Sequence, residues 1–100
     1  MLFSKIAMVP ILLAAGVNAW DLTVIGVNDR QVRTHGTTNS GCVNYDFSMS
    51  SPIKRVVFHE SFFADTFELY EEKDCKTLSY REGKGDFTIT PRTIRSYKVY

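Results

Sequence analysis

Phe67–Tyr100 reads FELYEEKDCKTLSYREGKGDFTITPRTIRSYKVY. Phe67 and Leu69 fall on one side of a two-residue period, with Tyr70 close by. KTLSYRE follows, and GKGD (Gly83–Asp86) then marks a turn. FTITP and TIRSYKVY close the stretch. No 3.6-residue period is sustained, so this part of the chain predicts antiparallel strands and turns. A helix over ESFFADTFELYEE is disfavoured by its aromatic and β-branched residues and by the Cys75 that follows.

The same texture continues upstream. DLTVIGV (Asp21–Val27) puts Leu22 and Val24 on one face, NDR is a turn signal, and QVRTH predicts a short strand. GTTNSG (Gly36–Gly41) reads as a loop. CVNYDFSM alternates through Val43, Tyr45 and Phe47, and IKRVVFHESFF is rich in strand formers. CVNYDFSMSSPIKRVVFH resembles KGDFTITPRTIRSYKVY, each with Asp-Phe-Ser/Thr, a proline and a basic-apolar closing strand. Two units of roughly 40 residues then account for the chain beyond residue 19. The fold class expected is all-β: a small antiparallel sandwich of two Greek-key units.

Met1–Ala19 has the anatomy of a secretory signal peptide. Lys5 precedes an apolar run from Ile6 to Val17, and Val17 and Ala19 occupy small-residue cleavage positions. The run is too short for a spanning helix and contains Pro10 and Gly16. The expected product is a single secreted domain, Trp20–Tyr100. With Lys5 removed, the 12 basic residues of the full chain become 11, equal to the 11 acidic ones. A neutral chain lacks the field that gathers nucleic acid or anionic membrane, and neither is an expected partner. Cys42 and Cys75 are the only cysteines. In a secreted chain they read as one disulfide, worth roughly 3.7 kcal/mol in the chain-entropy model.

LYEEKDCKTLSY, with Ser96 in the closing IRSYKVY, resembles the folded hairpin of the βγ-crystallin family. That motif is an aromatic, six residues, a glycine, and later a serine at the start of the last strand. Here Tyr70 is the aromatic, and Thr77 stands where the family prefers glycine. That position commonly takes φ > 0, at a cost to a β-branched residue. The resemblance implies two Greek keys packed as a sandwich, with Cys42–Cys75 linking them. Calcium-binding members use an acidic segment in each key, but the matching SSPIKRV and PRTIRSY carry Lys54, Arg55, Arg92 and Arg95. No calcium and no other cofactor is expected. The format also resembles small secreted fungal effectors and toxins, including killer-toxin and protease-inhibitor types, which act by binding.

Chemistry is sparse. His35 and His59 lack metal-ligand spacing. IKRVVFHE resembles a strand of secreted fungal ribonucleases, in which Arg55 would hold phosphate. THGTTNSGC upstream offers no carboxylate base, and no histidine follows His59. Residues 60–74 are acidic and residues 76–100 basic, which fits either a bipolar surface or cross-strand ion pairs. The chain is therefore expected to be a monomeric, non-enzymatic binding protein recognising an extracellular or host protein. Phe62, Phe63, Tyr97, Tyr100, Arg92 and Arg95 are the candidate contact residues, Cys42 and Cys75 the staple.

Overall fold

The computed structural model describes residues 19–45 and 52–100. Phe47, expected to continue the alternation of Val43 and Tyr45, lies outside them, as does the proposed signal segment up to residue 18.

Eight strands form in order: β1 (Trp20–Gly26), β2 (Gln31–Gly36), β3 (Gly41–Asn44), β4 (Ile53–His59), β5 (Phe67–Glu72), β6 (Lys76–Glu82), β7 (Gly85–Arg92) and β8 (Ser96–Val99). They make two antiparallel four-stranded sheets, β2-β1-β4-β7 and β3-β8-β5-β6. The first unit is β1–β4 and the second β5–β8. In each, the first, second and fourth strands share a sheet, while the third crosses to the sheet of the other unit. The two segments that resemble each other in sequence supply corresponding strands, β3–β4 and β7–β8.

The inward-facing residues explain this arrangement. Trp20, Leu22 and Val24 of β1 and Val56 and Phe58 of β4 are buried from one sheet, and Phe67, Leu69, Tyr97 and Val99 from the other. Phe58 and Phe67 are fully covered, with ring centroids 5.2 Å apart across the sandwich. Phe87, from the exchanged β7, meets Phe67 at 6.1 Å and Tyr80 at 6.0 Å. The exchanged strands therefore contribute side chains to a core that neither unit completes alone.

The two units end their first hairpins differently. β1 turns directly into β2 through Val27–Arg30, with Asp29 at φ 66°. Between β5 and β6 a single 3-10 turn, Lys73–Cys75, folds the hairpin over. Asp74, Cys75 and Thr77 take φ of 63°, 55° and 61°. Thr77 thus adopts the left-handed conformation expected of its position without a glycine, its hydroxyl bonded to Glu72 Oε2 at 2.8 Å.

Ser96, fully buried at the start of β8, holds this turn from beneath. Its hydroxyl donates to the Glu72 carbonyl and accepts from Cys75 N at 2.9 Å. From β3, Asn44 accepts from Asp74 N at 2.7 Å and donates to the Asp74 carboxylate at 3.0 Å. The Cys42–Cys75 disulfide, with Cα atoms 5.9 Å apart, joins the same two elements. The staple thus ties the exchanged strand of the first unit to the folded hairpin of the second.

Two substitutions separate strain from support here. Thr77→Gly removes a left-handed β-branched residue and is expected to raise stability by about 0.5–1 kcal/mol, the difference between relieved strain and glycine entropy. Ser96→Ala leaves buried backbone groups unpaired and is expected to cost about 1–3 kcal/mol. Denaturant unfolding of the oxidised protein measures both.

Candidate functional site: the loop displaying Phe62 and Phe63

The link from β4 to β5, residues 60–66, turns sharply, and serine explains how. Ser61 is buried, and its hydroxyl accepts from Phe63 N at 3.3 Å and Ala64 N at 3.2 Å. The same oxygen donates to the Thr37 carbonyl at 3.1 Å, and Ser61 N donates to Ala64 O at 2.9 Å. A serine satisfying nearby backbone donors is an efficient turn former. Ala64 then enters the core, and Asp65 N and Thr66 N donate to Tyr100 O at 2.9 and 2.8 Å. Anchored at both ends, the turn leaves the two middle residues outside. Phe62 is 75% exposed and Phe63 69%. Among the described residues these are the most exposed large apolar side chains, flanked by Glu60 and Asp65. Lys84 approaches Glu60 at 3.7 Å.

The other candidate contact residues are used within the fold. Tyr97, read from sequence as a contact residue, lies in the core at 7% exposure, edge-on to Tyr45 at 5.6 Å. Pairing of β8 with β5 puts Tyr97 opposite Leu69, on the inner face. Arg92 lies 5.6 Å over the Tyr80 ring and donates to Ser79 O at 2.8 Å and Thr90 O at 3.0 Å. Arg95 is exposed, with its backbone bonded to Tyr70 and Tyr45. Tyr100 is half-buried, and its hydroxyl donates to Glu68 Oε2 at 2.6 Å.

Glu68 was not singled out by sequence reasoning, yet it is a buried carboxylate on the outer face of the second sheet. The Tyr70 and Tyr100 hydroxyls both donate to it, and Arg81 Nε lies 3.7 Å away. Burial alone would push its carboxyl up. The two hydroxyls, with Arg81 and Lys98, outweigh that and hold it below the ordinary value. Burial and the neighbouring carboxylate push the Tyr70 phenol up to about 12.

The groups considered for catalysis lie on the first sheet. Arg55 pairs with Asp86, its Nε at 2.8 Å from the carboxylate, which holds that carboxyl below its usual range. His35 and His59, 24 positions apart in sequence, both stand opposite Asp21, one on each neighbouring strand. Asp21 in turn accepts from Arg33 Nε at 2.6 Å. Only strand register reveals that row; no local motif encodes it. Among the described residues no three His, Cys, Asp or Glu side chains are grouped to hold a metal ion.

Comparison with protein-family models, with curated protein sequences and with solved structures found no match to this chain.

The Glu68 cluster makes stability pH-dependent at both extremes. A depressed carboxyl contributes above its unfolded value and loses that contribution as pH falls through the folded one. A raised phenol contributes below about pH 10 and loses it as pH rises toward about 12. Unfolding measured at pH 3, 7 and 11.5 should show stability highest at pH 7. Glu68→Gln should flatten the acid limb, and an unchanged acid limb would show that other groups control it.

Proposed function

We propose that the protein is a secreted, non-enzymatic binding protein of the fungal effector or toxin-like kind. It recognises an extracellular or host protein by inserting Phe62 and Phe63 into an apolar pocket of that partner. The observation that carries this reading is the display of two adjacent phenylalanines on a turn fixed by Ser61 and Tyr100. Exposed aromatic side chains in a preorganised turn suit hot-spot recognition, because little ordering entropy remains to be lost on binding. The flanking Glu60 and Asp65 favour a pocket with a basic rim over an anionic membrane. The β-crossing between units and the left-handed Thr77 are features in keeping with a βγ-crystallin-type ancestry. A ribonuclease reading loses support because Arg55 is held by Asp86.

Phe62→Ser/Phe63→Ser tests the reading. Both side chains are exposed, so folding stability should change by no more than about 0.5 kcal/mol. Proteins captured from host extracts by the native domain should be lost with the double variant, with affinity falling about 30-fold or more, as for truncated aromatic anchors. Capture of the same proteins with equal affinity by both forms would exclude the phenylalanine pair as the contact.

A further inference from the structure

A second surface, independent of the phenylalanine turn, lies on strand β2. β2 is hydrogen-bonded to β1 on one side, and its other edge is open among the described residues. Open edges are templates for another strand, and proteins usually blunt them. The other three edges carry such protection. β3 has four residues and is tied by the disulfide, β6 faces a register shift, and β7 contains Pro91. β2 is six residues long, pairs with β1 without a register shift, and contains no proline.

What β2 does carry is cationic and imidazole side chains on its outer face. Val32 packs against the core, which turns Gln31, Arg33 and His35 outward. Arg33 is 70% exposed despite its contact with Asp21. Beside it lies an open hollow of about 420 Å³ lined by Ala19, Trp20, Asp21, Arg33, His35 and His59. These residues select among occupants. Antiparallel pairing of two copies about a two-fold sets like faces together. Of the registers using most of the strand, one places Arg33 against Arg33 and the other Arg33 against His35. The first repels and the second offers no opposite charge, so charge gives a second copy no advantage.

The geometry points to an extended acidic segment of another protein as the occupant, adding antiparallel to the open edge of β2. Its backbone bonds to the unpaired β2 groups. Carboxylates at alternate positions fall opposite Arg33 and His35, whose side chains share the outer face with them. Main-chain bonding supplies the docking, and the carboxylate spacing supplies the selectivity.

The probe is a six-residue peptide alternating glutamate and valine, compared with the same peptide carrying glutamine for glutamate. Binding to the purified, oxidised protein is followed by fluorescence anisotropy, and the site is mapped by amide hydrogen exchange. The glutamate peptide should slow exchange of the outward β2 amides, and the glutamine peptide should bind about tenfold more weakly. Arg33→Gln should narrow that difference, while Phe62→Ser/Phe63→Ser should leave it unchanged, which separates this surface from the aromatic one. Equal binding of both peptides, protection mapping elsewhere, no binding at millimolar peptide, or β2 amides already protected in a dimer of the free protein would each overturn the assignment.

Discussion

The exchange of third strands is the constraint on which the rest of the molecule depends. β3 completes the sheet of the second unit, and β7 that of the first. A chain of this length buries a small core, and a half of it would bury too little to fold. By lending one strand to its neighbour, each half makes its own sheet conditional on the other. The fully covered Phe58 and Phe67 meet only when both sheets are in place. Much of the pairing is accordingly non-local, from β1 with β4 to β3 with β8. Such topologies fold slowly, because loop closure is paid before the contacts that reward it.

That cost makes the fastening at the folded hairpin intelligible. β3 is short and, as an edge strand, bonded on one side only. Ladder bonds alone would hold it weakly. The disulfide, the paired bonds between Asn44 and Asp74, and Ser96 beneath Cys75 all meet at one corner. The left-handed residues at 74, 75 and 77 are held where this network over-determines them. The strain at Thr77 and the staple at Cys75 are two aspects of one device, which locks the exchanged strand to the unit that receives it.

How much of this was legible in the sequence follows from the range of each interaction. Strands such as Ile53–His59 were readable because β-branched and aromatic residues favour extended backbone, a local property. The left-handed conformation of Thr77 was expected only from the resemblance of its hairpin to the βγ-crystallin motif. Phe62 and Phe63 were read as the end of the strand that begins at Ile53, but that strand stops at His59 and the hydroxyl of Ser61 turns the chain there. Tyr97 was misread as a contact residue, since its inward direction is fixed by register with Leu69, not by its own chemistry. Glu68 with Tyr100, and Asp21 with His35 and His59, were beyond local reading. Each set converges only after distant strands have aligned.

Several charged side chains of the described residues are paired across the sheets. Glu68 accepts two tyrosine hydroxyls, Asp86 holds Arg55, Arg92 is bonded to two carbonyls, and Asp21 is engaged by Arg33. These groups satisfy one another across strands, which fixes register and keeps the sheet faces rigid. Two phenyl rings on a locked turn and the backbone of one open edge stand outside these pairs. Apolar side chains and unpaired main-chain groups gain free energy when another surface covers them. A turn and an edge anchored in this way lose little entropy on being covered, which is why the proposed binding reading rests on them.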